Sequence, residues 1–496
     1  MTKHVYCSRN PSLSLWQSAV HSVLAKHAGP QDGQSAGIGV SAALPHMLAT
    51  AQVLRHFDET GNFDLPAPAS VTAPTAPQDS AAPPSAPSAV VECAKLAAEV
   101  ALYAVTDPAK AATIRQELTA GTCDPLWGEC MAQYDLWRVS GTTQPYYPYT
   151  NIGDFVLEQC FPDDATIAVI GDWGTGMNDA LVLLEQIGKS FQPHVLLHLG
   201  DIYYSGLASE CSAHFTQLIA RVWPDDILKP LVFTLDGNHD RYAGAHGGYY
   251  DLIKSLNQTA GKPQPNSYFA LRNNFWQFVA MDTGYNDADP FSEGGAMTSL
   301  VPQEISWHLD KISNHGAGVD RTVNPGGARG TVLLSHHQLF SFTGVGKNSG
   351  GFQMAVNPNL AEAFAPVIPF IDLWLWGHEH NLCIFEPYAN GPGQPLPRGR
   401  CIGASAVPVY LSQAPAAPAG MVSPPGAAGP PRPIPGTTLG NNGTIFNYCY
   451  AMIRLAGPSL SIDYYQVDST NATPGNPPPL GEPLYSESFA RPLAAA

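Results

Sequence analysis

Polar side chains that can bind metal ions recur at five places in this sequence, each directly after a short apolar run. Imidazole nitrogens suit ions such as zinc and iron, and carboxylate oxygens suit harder ions such as manganese. In the fifth cluster, two imidazoles flank a single residue. Together the clusters predict one metal site assembled from separate segments of the chain. They are Gly171-Asp172, Gly200-Asp201, Gly237-Asn238-His239-Asp240, Ser335-His336-His337 and Gly377-His378-Glu379-His380.

This set of side chains suits the cleavage of phosphate esters. Two ions about 3.5–4 Å apart can stabilise both the attacking and the leaving oxygen, and one carboxylate should then bridge them. Each cluster alone has an ordinary explanation. An Asp after a strand commonly caps a turn or a helix, and adjacent histidines can be hydrogen-bonded core residues. All of these explanations would have to hold together at strand ends, and the metal site is therefore the favoured interpretation.

The apolar runs that precede the clusters are predicted β-strands. Helical patterns at Ala180–Ile187 and Glu304–Ile312 lie between some of them, as is typical of buried strands flanked by helices. Ligands of such sheets bind at the carboxyl ends of the strands. The predicted strands are Ile167–Ile170, Val195–Leu199, Leu231–Leu235, Val332–Leu334 and Leu373–Trp376, with a hairpin from Tyr268–Leu271 to Trp276–Met281 and late strands at Phe446–Leu455 and Leu460–Gln466.

Composition divides the rest of the chain into segments. Residues 1–64 are predicted to be a helical N-terminal segment, and residues 65–90 are a Pro/Ala-rich linker whose composition cannot bury a core. Residues 91–160 are predicted to be a helical extension, to which the sequence assigns no role. Residues 161–490 carry all five clusters, with a Pro/Gly-rich insertion predicted at 391–440.

Charge and apolar content limit the partners. The formal net charge of −17 argues against nucleic acid as a bound partner. No apolar run approaches the roughly 18 residues of a membrane span, and the first ten residues lack the apolar core of a secretory signal. A cytoplasmic location is expected, with a periplasmic or secreted one left open. Nine cysteines without a Cys-x-x-Cys pair favour buried thiols over a disulfide framework; Cys123 and Cys130 are the one pair to test for a bridge.

The motifs resemble those of the calcineurin-like metallophosphoesterase superfamily, whose five blocks match in order over about residues 165–385. Gly171-Asp172-Trp173-Gly174 and Gly200-Asp201-Ile202-Tyr203-Tyr204 resemble the purple acid phosphatase branch. Most other branches carry a His where this chain has Gly174, and phosphoprotein phosphatases carry an Arg where it has Asp236. The resemblance implies an α/β fold, a two-sheet sandwich flanked by helices, here with a mainly helical N-terminal extension.

The resemblance also implies a role for each polar residue. The implied ligands are Asp172, Tyr204 and His380 for one ion, Asn238, His336 and His378 for the other, and Asp201 as the bridge between them. For Tyr204 to serve, Tyr203 must point elsewhere. The family commonly has Pro where this chain has Gln338, which leaves His336 or His337 as the ligand; His336 is favoured, with His337 beside the site.

His239 would assist from outside the ligand set, by orienting the phosphate or protonating the leaving oxygen, and Asp240 would orient its imidazole. The implied reaction is dinuclear metal-dependent hydrolysis of a phosphate ester, in which a metal-bound hydroxide attacks phosphorus in line. A phosphomonoesterase is favoured. The purple colour of that branch depends on a tyrosine phenolate bound to Fe(III), so the expected ions are Fe(III) with Fe, Zn or Mn. A phosphodiesterase acting on nucleotides or phospholipid head groups, and a catalytically silent metal-binding scaffold, remain alternatives.

Overall fold

The computed structural model describes residues 145–490, apart from residues 204, 226–228, 288–296, 408, 410, 412–413, 428, 444 and 469–473. The predicted helical segment 1–64, the linker 65–90 and most of the extension 91–160 therefore lie outside the described residues. The same holds for Tyr204 and for the Cys123–Cys130 pair.

Thirteen strands in the described part of the chain form two mixed sheets. The strands are β1 Val156–Leu157, β2 Thr166–Ile170, β3 Val195–His198, β4 Leu231–Thr234, β5 Phe269–Arg272, β6 Trp276–Ala280, β7 Gly330–Ser335, β8 Leu373–Trp376, β9 Leu382–Ile384, β10 Arg398–Ile402, β11 Tyr448–Ala456, β12 Ser459–Val467 and β13 Tyr485–Ala490. The first sheet has the order β1-β5-β6-β7-β8-β10-β9, and the second has the order β13-β12-β11-β2-β3-β4. Strands β2, β3 and β4 are parallel to one another, as are β6, β7 and β8.

The two sheets pack face to face, and helices cover their outer faces. In β2, Ile167 and Val169 point into the core between the sheets, whereas Ala168 and Ile170 pack under the helices. Both faces of the strand are thus buried, which explains why it reads as a continuous apolar run. The helices are Asn178–Ser190, a continuous helical segment of Ala208–Glu210, Cys211–Thr216 and Gln217–Val222, then Tyr249–Ser255, Pro302–Ser313 and Pro358–Phe364, with 3-10 turns at His239–Arg241, Gly244–His246 and Ile368–Phe370.

Each outer layer has its own apolar core. Leu181 and Phe215 pack on the second sheet, and Trp307 and Leu360 pack on the first. The predicted two-sheet sandwich flanked by helices is therefore confirmed, and so are the predicted strands and the hairpin of β5 and β6, which pair antiparallel.

Two segments that were delimited by composition contribute strands to the first sheet. Val156, near the end of the predicted extension 91–160, pairs with Ala270 and makes β1 a strand of that sheet. The insertion predicted at 391–440 contains β10, which pairs parallel with β8 and antiparallel with β9. Residues Cys401 and Ile402 of β10 are fully buried, so this part of the segment belongs to the core.

The described cysteines, Cys160, Cys211, Cys383, Cys401 and Cys449, are buried and not disulfide-bonded. This agrees with the predicted buried thiols for these five positions. None of the helices in the described part of the chain has the length and apolar character that a membrane span requires.

Candidate metal centre

Five parallel strands, three from the second sheet and two from the first, direct their carboxyl ends to one place. Asp172 follows β2, Asp201 follows β3, Asn238 follows β4, His336 follows β7, and His378 with His380 follow β8. Contacts across the sheets hold the ends together. The His378 backbone N–H donates to Asp172 Oδ2 at 2.7 Å, and His336 Nδ1 lies 2.9 Å from the Leu199 carbonyl oxygen.

Glycines of the motifs leave the room that these side chains need. A Cβ atom on Gly237 would lie 2.1 Å from Asp201 Oδ1, and one on Gly377 would lie 2.6 Å from Asp172 Oδ2. Either side chain would displace a carboxylate of the site. The recurrence of Gly beside the polar residues therefore has a steric cause at these two positions.

Four site residues have left-handed backbone conformations. The φ angles are 54° for Asp172, 75° for Asp201, 66° for His378 and 47° for His380. Such conformations cost roughly 1–3 kcal/mol each in a non-glycine residue and persist where the surroundings enforce them. Half of the positive-φ residues other than glycine in the described part of the chain thus belong to this site, which is where backbone strain commonly accompanies function.

One set of donor atoms is rich in imidazole; we call Asn238, His336 and His378 the imidazole-rich group. Asn238 Oδ1 lies 3.0 Å from His336 Nε2 and 3.1 Å from His378 Nδ1, and these two ring nitrogens lie 3.2 Å apart. The Leu199 carbonyl accepts the proton of His336 Nδ1, so Nε2 is the nitrogen that offers a lone pair when the ring is neutral. The Tyr242 hydroxyl accepts from Asn238 Nδ2 at 2.6 Å, which turns Oδ1 inward. Converging lone pairs of this kind fit a cation.

A second set is rich in oxygen; we call Asp172, Asp201, Tyr203 and His380 the oxygen-rich group. The Tyr203 hydroxyl lies 3.0 Å from Asp172 Oδ1, 3.1 Å from Asp201 Oδ2 and 3.0 Å from His380 Nε2. His380 Nε2 lies 3.2 Å from Asp172 Oδ1. Possible ligand atoms of Asp172, Asp201 and His380 lie within 4.8 Å of one another. Two carboxylates, a phenol and an imidazole in this arrangement also fit a cation.

Asp201 faces both groups with a different oxygen. Its Oδ2 lies near Tyr203, and its Oδ1 lies 3.3 Å from His336 Nε2. Burial opposes ionisation of Asp201, but the imidazoles of His336 and His239 outweigh burial and hold its pKa well below the usual value. Burial likewise opposes a charge on His336, yet the Asp201 carboxylate raises its pKa to about 9. The cleft therefore favours a positive charge between these residues.

His378 is suited to bind a cation as a neutral ring. Burial, followed by the neighbouring imidazoles of His337 and His336, lowers its pKa well below the usual value. Metal ions require the deprotonated imidazole. His378 is half-buried, whereas Asp172, Asp201 and His336 are buried, so the His378 side of the site faces solvent.

Tyr203 differs from the expectation that it points away from the site. Its hydroxyl lies inside the oxygen-rich group, and the residue is fully buried. Tyr204, the predicted ligand, lies outside the described residues.

The two adjacent histidines have different surroundings. His336 Nε2 faces Asn238 and Asp201. His337 Nδ1 lies 3.0 Å from Thr283 Oγ1, and its Nε2 lies 2.8 Å from Asp287 Oδ2. His337 also packs against His378, with ring centroids 4.3 Å apart, and possible ligand atoms of His336, His337 and His378 lie within 4.8 Å of one another. Because Thr283 and Asp287 contact both ring nitrogens of His337, we favour His336 as the ligand.

The structure places His239 and Asp240 beside the candidate ligands. The His239 ring lies between Tyr203 and Tyr242, with centroids 4.6 Å from each, and its backbone N–H donates to Asp201 Oδ1 at 3.0 Å. Asp240 Oδ2 accepts the backbone N–H groups of Gly237 and Asp201, and its Oδ1 accepts that of Ile202. Asp240 thus joins two of the loops that carry the candidate ligands.

Tyr242, which follows the Asn238 motif, orients the Asn238 amide. The other contacts of the site come from residues that the sequence did not single out. Thr283 and Asp287 hold His337. Arg241 forms buried ion pairs with Asp236 and Asp282, which tie the Asn238 loop to the end of β6. Only Tyr242 carried a local signal, since it lies four residues after Asn238 in the motif segment; the partners of His337 lie 50 or more residues away in the chain.

Residues 165–382 match the family model described as calcineurin-like phosphoesterase. Among solved structures, similarity is found to a purple acid phosphatase from yellow lupin (Lupinus luteus) seeds, with 14% identity over 67% of this chain and 55% of that chain and a TM-score of 0.37. PhoD shares 13% identity over 70% of this chain and 71% of its own, with a TM-score of 0.39. GAP50, the anchor in the inner membrane complex of Plasmodium, shares 12% identity over 66% and 89%, with a TM-score of 0.38. No curated protein sequence matches the chain.

Proposed function

We propose that this chain is a dinuclear metal-dependent phosphomonoesterase, because residues 165–382 match the family model described as calcineurin-like phosphoesterase. The implied ligands are Asp172, Tyr204, His380 and Asp201 on one side and Asn238, His336, His378 and Asp201 on the other. The observation that carries the proposal is the position of Asp201, whose two carboxylate oxygens face the two donor groups separately.

Two bound cations would supply Lewis acidity, which means charge stabilisation at the phosphate oxygens and acidification of water. The protein's contribution is to hold the donors in position before any substrate arrives. Tyr242 keeps the Asn238 oxygen turned inward, and the Leu199 carbonyl keeps the His336 lone pair at Nε2. Preorganised groups of this kind need no rearrangement at the moment of reaction.

His239 is the proposed proton donor to the leaving oxygen. Its ring lies against Tyr203 of the oxygen-rich group and Tyr242 of the Asn238 loop. It is therefore next to both donor groups. General acid catalysis of this type contributes typically about 10²- to 10⁴-fold to the rate. His337 lies on the other side, beside the half-buried His378, where it would contact the phosphate or the group esterified to it.

The experiment that tests the proposal compares hydrolysis of an aryl phosphate monoester with that of an aryl phosphate diester by the purified full-length chain. We expect turnover of the monoester, loss of turnover after chelation, and recovery on addition of iron with zinc or manganese. Preferential cleavage of the diester would replace the monoesterase by a phosphodiesterase acting through the same site. Two bound ions without cleavage of either ester would favour a silent metal-binding scaffold.

The choice of ions is also part of the proposal. Carboxylate and phenol oxygens suit a hard ion such as Fe(III), and the imidazole-rich group suits Zn, Fe or Mn. Metal analysis of protein purified without added metal gives the native pair. A chain that held only magnesium would contradict this assignment.

A further inference from the structure

We propose that Tyr203, and not Tyr204, supplies the tyrosine ligand of the oxygen-rich group. This inference rests on the metal-dependent function proposed above. It changes the spacing that the family resemblance implies, because the tyrosine would follow the bridging Asp201 by two positions rather than three.

The first evidence for this inference is the set of contacts that the Tyr203 hydroxyl makes. Its oxygen lies within 3.0–3.1 Å of Asp172 Oδ1, Asp201 Oδ2 and His380 Nε2. A phenol has one proton to donate, so it cannot donate to the Asp172 and Asp201 carboxylates at the same time. A bound cation would satisfy all four donor atoms, with the phenol as a phenolate.

The backbone around Tyr203 explains why this side chain points inward. Ile202 forms a parallel bridge with Gly174, and the Tyr203 N–H donates to the Gly174 carbonyl at 3.0 Å. Ile202 packs into the apolar core under the helices, while Tyr203 turns to the site. The Tyr203 carbonyl lies 2.8 Å from His214 Nδ1. Tyr203 is thus held on both sides of its Cα atom.

Gly174 is the second independent observation. A Cβ atom at this position would lie 2.8 Å from both the Asp201 carbonyl oxygen and Ile202 Cα. Other branches of the family carry a histidine ligand at this position. A histidine side chain would not fit here, because the backbone of the Asp201 loop occupies the space. The same close approach lets the Tyr203 N–H donate to the Gly174 carbonyl.

The experiment is the visible spectrum of the full-length protein loaded with iron and oxidised, together with its iron content. A phenolate bound to Fe(III) gives a charge-transfer band. We expect the band in the wild-type protein and in Tyr204→Phe, and its loss in Tyr203→Phe with iron still bound. Competition with a chelator should show metal affinity in Tyr203→Phe lower by at least about 10- to 100-fold, the loss that removing a supporting partner of a ligand alone produces.

Three results would overturn the inference: a band that Tyr204→Phe removes and Tyr203→Phe keeps, Fe(III)-loaded wild-type protein without a band, or a protein that takes up no iron. If Tyr203→Phe failed to fold, the spectrum of Tyr204→Phe would decide between the two tyrosines. A band retained in Tyr204→Phe would exclude Tyr204 as its source. Failure of the proposed function is separate. A band that depends on Tyr203 without ester hydrolysis would refute the phosphoesterase and keep the ligand.

Discussion

The two donor groups of the candidate metal centre offer a cation different ligand atoms. The oxygen-rich group combines two carboxylates, a phenol and one imidazole, and all four residues are buried. The imidazole-rich group has an amide and two imidazoles and opens to solvent at the half-buried His378. Asp201 contributes one oxygen to each half. The carboxylates therefore lie mainly on one side, and the imidazoles lie mainly on the other.

This difference in ligand atoms explains how one site can bind two ions of different chemistry. A hard, highly charged ion gains most from carboxylate and phenolate oxygens, whereas imidazole nitrogens suit zinc or iron(II). The open side of the imidazole-rich group leaves room for a substrate oxygen, which a catalytic ion requires. The buried oxygen-rich group would then fix the ion that stays, and the imidazole-rich group would hold the ion that exchanges more readily.

Asp201→Asn is expected to have the largest effect, because it removes the charge that both halves share. Both ions should be lost, and kcat/KM for an aryl phosphate should fall by more than about 10³-fold, above the loss for a single charge-stabilising donor. Metal content per chain and hydrolysis are measured on the same sample. Asp251→Asn, at an exposed carboxylate, is the control and should retain both ions. Retention of one ion in Asp201→Asn would place Asp201 in one half only.

His336→Ala tests whether the imidazole-rich group and the oxygen-rich group bind their ions independently. It removes the nitrogen that faces Asn238 and Asp201 and leaves the oxygen-rich group intact. We expect one ion per chain to remain and kcat/KM to fall by about 10²- to 10³-fold. His315→Ala, at a half-buried histidine of another region, controls for loss of an imidazole. Loss of both ions in His336→Ala would show that the halves bind their ions as a unit.

Much of this architecture could be predicted from the sequence. Strands that are covered on both faces appear in the sequence as apolar runs, and the candidate ligands come directly after these runs. Strand β10 was not predicted, because Arg398, Gly399 and Arg400 are not typical of a buried strand. Arg400 can be buried because it forms an ion pair with Glu487 at 2.7 Å. The position of Tyr203 could not be predicted, because two tyrosines are adjacent and the pairing of Gly174 with Ile202 decides between them. Asp287 contacts His337 although the two residues are 50 positions apart in the chain, and no local sequence pattern predicts such a contact.

His239→Ala tests whether a residue can serve the reaction without belonging to either half. The ring contacts Tyr203 and Tyr242, and only its backbone N–H donates to Asp201, so the variant should keep that bond and both ions. We expect kcat to fall by about 10²-fold, the lower end for loss of a general acid. An aryl ester with a better leaving group should lose less. Loss of metal equal to that in Asp201→Asn would contradict the division of roles.

Glu379→Gln should have the smallest effect and should act on both halves equally, because Glu379 separates His378 from His380. The Glu379 side chain faces away from the donor atoms. Its carboxylate accepts from Trp376 Nε1 at 2.9 Å, from Thr343 Oγ1 at 2.6 Å and from Ser341 Oγ. Hydrogen bonds to a charged group contribute about 1.5–3 kcal/mol each, and an amide can replace only part of them.

We therefore expect Glu379→Gln to lower the free energy of unfolding by about 1–3 kcal/mol, measured by urea denaturation, with both ions retained. The affinities for the two ions should fall by similar factors, since one loop carries a ligand of each half. Glu362→Gln, at an exposed helix position, should leave stability and both affinities unchanged. A selective loss of one ion in Glu379→Gln would mean that His378 and His380 are positioned independently, and the loop could then no longer be regarded as the element that couples the oxygen-rich and imidazole-rich groups.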